Sequence, residues 1–583
     1  MRKLGLIGCA LGLFWIGCNE VRVGDDGEDG EPSGPPDPPP QQLDPVPQMT
    51  TTDKVDLLFV VDNSISMADK QGVLAPSAVR LVRDLTNPPC IDASGSRLPD
   101  NQQPASPADA CPTGSTRSGT PVTDLRVGFI SSSLGALTAA NCNINPSGDD
   151  GAHLLTRGPG GNPVATYQNL GFLAFDPAQM MNPPGEATID GLEQSITDLV
   201  IGVDEDGCGY EMPLEAMARF LVDPAPYDSL SPGADGVLMR NGIDTVLLQQ
   251  RADFIRPDSL VSIVMLSDEN DCSIDVSKQG YLTLGATPFY KSTSACQVDP
   301  NDACCTSCAL EVPAGCAPDP ACGAQGTASA AKYLATEDHG NLRCWDQKRR
   351  YGVDFQYPLE RYTNALSLST IDPAVSSLAP SGGGVPNPLF AGGRPSAFVS
   401  LTAIVGVPWQ DLATNPNDPQ SPNKTTSEME ADGSWGWLVE GGDPFMIESV
   451  AARSGSNPAT GASVSTDNAI NGGDRTAIQG DELQYTCIFG LEEAEEFGGP
   501  CGECIDASCD DPLCNLTTQV AAKANPGVRQ LKVVRSLGDR GIAGSICPSD
   551  LPAGAPPVQT MSVRGYDRPI LDLETRVWQH IAP

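Results

Sequence analysis

The chain alternates short, uniformly apolar runs with longer stretches in which apolar residues recur at helical spacing. Leu57 to Val61 (LLFVV) is too short to cross a membrane and lacks the alternation of a strand with one wet face. It therefore predicts a strand buried on both sides, as a parallel sheet requires. Leu125 to Ser131, Leu260 to Leu266 and Ser396 to Val405 share that character, with a short edge strand at Leu170 to Phe175 and a last strand at Gly541 to Ile546. Met67 to Leu85 carries Leu74, Ala78, Leu81, Val82 and Leu85 at a helical period and is closed by Pro88 and Pro89. Thr188 to Val200 places Ile189, Leu192, Ile196, Leu199 and Val200 on one face. Further helices are predicted over Met212 to Leu221, Tyr357 to Leu368, Pro444 to Arg453 and Arg529 to Leu537. Strands separated by helices specify an α/β fold: a doubly wound, mostly parallel sheet with helices on both faces. The expected organisation is one domain over residues 51–550 with long insertions, Cys-rich at about 270–350 and 485–520, and a C-terminal extension over 551–583.

Two of the apolar runs end in oxygen-bearing side chains. VDLLFVVDNSISM, residues 55–67, stops abruptly at Asp62, Ser64 and Ser66, and Leu260 to Leu266 is followed by Ser267, Asp268, Glu269, Asn270 and Asp271. The loops past the carboxyl ends of parallel strands are where open α/β sheets hold ligands. A plainer role for Ser64 and Ser66 is to cap the helix that begins near Met67. Capping leaves the second acid-ended strand unexplained.

The N-terminus reads as a targeting segment. Arg2 and Lys3 precede an apolar stretch from Leu4 to Ile16, the pattern of a secretion signal over residues 1–17. Trp15-Ile16-Gly17-Cys18 resembles the lipobox of bacterial lipoproteins, whose Cys becomes the lipidated first residue; the alternative is an ordinary cleaved signal peptide. Cleavage at Cys9 would leave almost no apolar core. Asn19 is not the Asp that favours inner-membrane retention, so lipidation at Cys18 implies an outer-membrane lipoprotein of the cell envelope. Residues 18–50 include DDGEDGEPSGPPDPPP, a composition that cannot enter a core and is expected to act as a disordered, self-repelling tether.

Composition removes several functions. With 35 basic against 74 acidic residues and a net charge of −39, the chain should be repelled by nucleic acid and by anionic membrane surfaces. His153, His339 and His580 are the only histidines, in no catalytic or zinc spacing, and neither a Ser–His–acid constellation nor a nucleophile elbow occurs, which argues against an enzyme. Taking Cys9 and Cys18 from the 20 cysteines leaves 18, an even number suited to disulfides in an exported chain. Cys501, Cys504, Cys509 and Cys514 have a spacing that a zinc knuckle also uses, and disulfides are the preferred reading.

Asp62-x-Ser64-x-Ser66 after LLFVV, with Asp268 at the end of a later apolar strand, resembles the von Willebrand factor type A (vWA) domain and its metal-ion-dependent adhesion site. The resemblance implies Mg²⁺ or Ca²⁺ bound directly by the Ser64 and Ser66 hydroxyls, with Asp62 and Asp268 holding its waters. A first shell of few charges would leave the ion able to accept a carboxylate from a partner protein. The family also uses a Thr from a loop before a crossing helix. Here that loop, residues 204–217, has none, and Glu211 stands nearest. Two readings of Glu211 stand: an added ligand that favours Ca²⁺, or a surface acid at a helix N-terminus. Glu269 and Asp271 are expected to be solvated loop acids. Cys208 and Cys272, both on the rim of the implied site, are expected to pair with each other. The implied function is adhesion or surface assembly, with a structural envelope protein whose metal only stabilises the fold as the alternative.

Overall fold

The computed structural model describes residues 50–135, 137, 149–233, 237–280, 288–380, 383–475, 482–496, 501, 511–549 and 566–582. The signal segment, Cys18 and the tether lie outside the described residues, as do Cys504 and Cys509.

Six strands make the central sheet: β1 (Lys54–Val61), β2 (Asp124–Ser131), β3 (Phe172–Phe175), β4 (Leu260–Leu266), β5 (Val399–Val405) and β6 (Gly541–Ser545). Their order is β6-β5-β4-β1-β2-β3, with every neighbouring pair parallel except β2 and β3. The chain fills one side of β1 with β2 and β3, then crosses to the other side for β4, β5 and β6. The boundary between β1 and β4 is thus the topological switch point, the place where such sheets leave a crevice. Val61 is level with both Leu266 and Ser131, so the loops after β1, β2 and β4 leave from one edge at one height.

Side chains that alternate along β1 into two cores explain why its sequence is apolar from Leu57 to Val61. Leu58 and Val60 join a core that includes α3 (Pro213–Leu221), α4 (Thr245–Phe254) and α5 (Val528–Ser536) through Met217, Phe220, Phe254, Leu531 and Val534. Leu57, Phe59 and Val61 join the opposite core, with α1 (Ala68–Thr86), α2 (Asp190–Ile201) and α6 (Asp567–Trp578) contributing Leu74, Leu81, Leu85, Ile196, Leu199, Ile570, Leu573 and Val577. The mostly parallel α/β sheet with helices on both faces is as the hydrophobic pattern predicts. Asp56, a polar residue within β1, is fully buried and accepts from the Arg256 backbone N–H at 2.8 Å and its Nε at 2.9 Å.

Several elements differ from expectation. Residues 444–453 form only a 3-10 turn over Pro444–Met446, capped by the Asp443 carboxylate. Arg453 folds back instead, donating to the carbonyls of Phe445 at 2.9 Å and Ile447 at 3.0 Å and pairing with Asp474 at 2.7 Å, so those carbonyls are taken by a guanidinium and not by a helical ladder. The predicted helix from Tyr357 shrinks to Glu360–Ala365. The last stretch, set apart as an extension, supplies α6, a core helix, and Thr52 bonds backbone to backbone with His580 and Ala582 beyond it. Helix α4, capped by Asp244, and an antiparallel sheet of Cys487–Glu496, Thr518–Ala524 and Cys514–Asn515 were not anticipated.

The insertions are braced by disulfides, as the cysteine count suggests. Cys90 bonds Cys111, Cys487 bonds Cys547, and Cys501 bonds Cys514, which removes two of the four ligands a zinc knuckle would need. Cys296–Cys305, Cys304–Cys316 and Cys308–Cys322 close the 296–322 segment. The expected Cys208–Cys272 pair is corrected: Cys272 bonds Cys344, with Cα atoms 5.5 Å apart, and Cys208 is in a disulfide of its own. A backbone bond from Cys272 N–H to the Glu211 carbonyl at 2.8 Å already joins the two loops. The Cys272 sulfur is free to tie the 288–344 insertion to the sheet.

Candidate metal centre

The loops after β1, β2 and β4 meet at the switch point. Asp62 extends the ladder by one residue, its N–H bonding the Leu266 carbonyl at 2.9 Å, and then turns its side chain into the crevice, fully buried. Its Oδ1 accepts the Ser64 N–H at 2.9 Å, a tight Asx turn that aims the next residues back over the strand ends. Its Oδ2 accepts the Ser267 hydroxyl at 2.7 Å, and Ser132 from the β2 loop reaches Oδ1 at 3.4 Å. One carboxylate therefore gathers three loops.

Asp268, also fully buried, accepts the Ser66 hydroxyl at Oδ2 at 2.8 Å, which joins the β1 loop to the β4 loop a second time. Its carbonyl takes the Asn525 N–H at 2.8 Å from the end of the Thr518–Ala524 strand. Four of the sequence-predicted residues, Asp62, Ser64, Ser66 and Asp268, thus belong to one hydrogen-bonded cluster. Two oxygens within it are buried without any hydrogen-bond partner: Ser64 Oγ and Asp268 Oδ1. Buried polar atoms are seldom left unpaired, so an unsatisfied pair of hard oxygens in one crevice fits a cation.

Glu211, on the loop before α3, is 3% exposed and so is not a surface acid. Its carboxyl is pushed well above the ordinary glutamate range by burial, then by the charges of Glu269, Asp62 and Asp268. Burial, then the charge of Asp268, push the Asp62 carboxyl up to about 7. Asp268 goes the other way. Burial opposes its ionisation, but the ammonium groups of Lys70 and Lys523, with the Ser66 hydroxyl, outweigh it and hold the carboxyl below the usual range. The crevice thus concentrates carboxyl groups that repel one another, and an added positive charge would relieve them.

Residues that the sequence reading passed over complete the site. Lys70, one helical turn past Ser66, is 2% exposed, and its Nζ lies 3.1 Å from Asp268 Oδ2. Lys523 pairs with Glu269 at 3.0 Å. Ser132 and Ser133 follow directly on β2, and Ser133 Oγ is buried without a partner. The run Ser131-Ser132-Ser133 at the end of a second apolar strand was the available signal. The expectation that Asp271 is a solvated acid is corrected: it is buried, accepts the Leu214 N–H at 3.1 Å and the Ser273 hydroxyl at 2.6 Å, and pairs with Arg529 at 3.2 Å. Asp271 fastens the start of α3 in place. Glu269 is half-buried and neutralised by Lys523.

Among the described residues, no group of three or more His, Cys, Asp or Glu side chains is arranged to hold a metal ion. The cluster described above is composed of hydroxyls and carboxylates, with Ser64 Oγ and Asp268 Oδ1 unpartnered. Among the described residues no helix is long and apolar enough to cross a membrane. No protein-family model, curated protein or solved structure matches the chain.

Proposed function

We propose that the chain is a vWA-type lipoprotein of the cell envelope that binds Mg²⁺ or Ca²⁺ at the β1–β4 switch point and, through the ion, a carboxylate of a protein partner. The observation that carries this reading is the pair of buried, unpartnered oxygens, Ser64 Oγ and Asp268 Oδ1, in a cluster built from the loops of two adjacent parallel strands. Ser64 and Ser66 would hold the ion, with Asp62 and Asp268 holding its waters and Glu211 adding negative charge. When bound, the ion supplies an electrophilic position for an external carboxylate. Ile65, between the two serines, is 86% exposed and offers an apolar contact beside that position. The proposed role is adhesion or surface assembly without catalysis or nucleic-acid binding, on a chain held to the outer membrane through lipid at Cys18.

The test is capture of partners from intact cells by crosslinking, with and without chelator, for the wild type and Asp62→Ala. Loss of the same partners on chelation and in the variant supports the reading. A second reading, a metal that only stabilises the fold, is favoured by the way Asp62 ties three loops together. It wins if Asp62→Ala lowers the melting temperature and leaves the captured partners unchanged. Palmitate labelling that persists in Cys18→Ser would remove the lipid anchor.

A further inference from the structure

The candidate metal centre already contains a cation of its own. The Lys70 side chain runs inward from α1 at 2% exposure, and its ammonium has three acceptors: the Ser66 carbonyl at 2.6 Å, Asp268 Oδ2 at 3.1 Å and Asp69 Oδ1 at 3.2 Å. Burying an ammonium is costly unless its donors are satisfied, and here all three N–H donors have an oxygen to meet. Asp268 Oδ2 receives both the ammonium and the Ser66 hydroxyl, while Oδ1 of the same carboxylate has no partner. The carboxylate that should face an ion is half claimed by a lysine.

We propose that Lys70 is a tethered cation that competes with the divalent ion: it neutralises Asp268 when the ion is absent and must give up that contact, or pay in repulsion, when the ion is present. This inference rests on the metal reading above. Its consequence is a site that keeps its shape without metal and binds a divalent ion more weakly than the same oxygens would alone. Occupancy then follows the surrounding divalent-ion concentration instead of being permanent. Lys523, 3.0 Å from Glu269, reinforces the effect through a second ammonium.

Lys70→Met keeps the apolar length of the side chain and removes the charge, whereas Lys70→Arg keeps the charge. Chelator-treated protein is titrated calorimetrically with Mg²⁺ alone and with Ca²⁺ alone, and the melting temperature is read with and without each ion. A dication within several ångströms of a removed unit charge should gain about tenfold or more in affinity. Lys70→Met is expected to show that gain, to melt lower than the wild type without metal, and to be raised further by added ion than the wild type is. Lys70→Arg should stay close to the wild type. Equal affinity in the wild type and Lys70→Met overturns the inference and leaves the metal reading standing. No ion binding by either protein overturns both.

Discussion

At the scale of single residues, several buried ionisable groups have neighbours that shift their charge state. Asp411 and Asp443, both fully buried, share the Asn457 amide, which donates at 2.8 Å to one and 3.1 Å to the other. Burial, then the neighbouring Asp443, hold the Asp411 carboxyl well above its ordinary value of 3.8; burial raises Asp443 as well, against hydrogen bonds from Asp411, Phe445 N–H and Asn457 and the nearby Arg453. Lys424 adds only a weak opposing charge to Asp411. A carboxyl whose folded value is raised binds its proton more tightly in the native state. Its stabilising contribution is full below the unfolded value and declines as pH rises toward the folded one. Wild-type melting temperature should therefore fall through this pair as pH rises above the ordinary carboxylate value of 3.8. In Asp411→Asn, which removes the raised carboxyl, that part of the fall should vanish; thermal melts from acidic to neutral pH check it, and identical slopes in the two proteins would count against Asp411 as its source. Single residues were also the scale at which the sequence was most legible. Asp62, Ser64, Ser66 and Asp268 announced themselves because each follows an apolar run with an abrupt change to oxygen-bearing side chains. Lys70 did not, since a lysine on an amphipathic helix ordinarily faces water, and only its contact with Asp268 shows that it is turned inward.

Among elements, the loops at the carboxyl edge of the sheet are positioned by close backbone approach. Gly406, just after β5, lies so near the Asn525 carbonyl that a Cβ would overlap it, and Gly527 N–H bonds the Gly406 carbonyl at 2.9 Å. Asn525 in turn bonds the Asp268 carbonyl at 2.8 Å. Gly406→Ala should force the Thr518–Ala524 strand outward, cost about 1–3 kcal/mol as overpacking does, and weaken ion binding through Asp268. Denaturant unfolding together with the ion titration reads both effects. Unchanged ion affinity in a destabilised variant would detach that strand from the site. The central strands were visible in advance because a strand buried on both faces is apolar at nearly every position. Helix α6 carried Ile570, Leu573 and Val577 at helical spacing, yet its place after a long Pro- and Gly-rich stretch concealed that it belongs to the core. The antiparallel sheet holding Lys523 was harder to find. Thr518–Ala524 is short, mixed in polarity and stabilised by its partners rather than by its own pattern.

For the whole molecule, a six-stranded sheet carries insertions that lack a large core of their own, and disulfides take over where burial is thin. Within the 288–344 insertion, Cys308, Cys322 and Ala330, with Tyr290 against them, form a small separate apolar cluster. Cys272–Cys344, with a sequence separation of 72, fastens the end of the 288–344 insertion to the loop four residues past Asp268. Loop-closure entropy assigns about 4 kcal/mol to a bridge of that span. Replacing both cysteines by serine should lower stability by a few kcal/mol, within the range of about 2–5 kcal/mol typical of such bridges, without abolishing ion binding, because the Cys272 N–H to Glu211 carbonyl bond remains. Unfolding curves and ion titration of the double variant check the two halves separately. Disulfide partners were the least legible feature, since pairing depends on which insertion folds against which loop and spacing alone does not record it.

The account depends most on a divalent cation at the β1–β4 switch point. The measurement that tests it directly is calorimetric titration of the chelator-treated, folded chain with Mg²⁺ and with Ca²⁺, beside Ser64→Ala, whose fold is verified by its melting curve. The expected result is saturable binding of one ion per chain in the wild type and its loss or marked weakening in Ser64→Ala. Absence of saturable binding in the wild type, or undiminished affinity in Ser64→Ala, would contradict it.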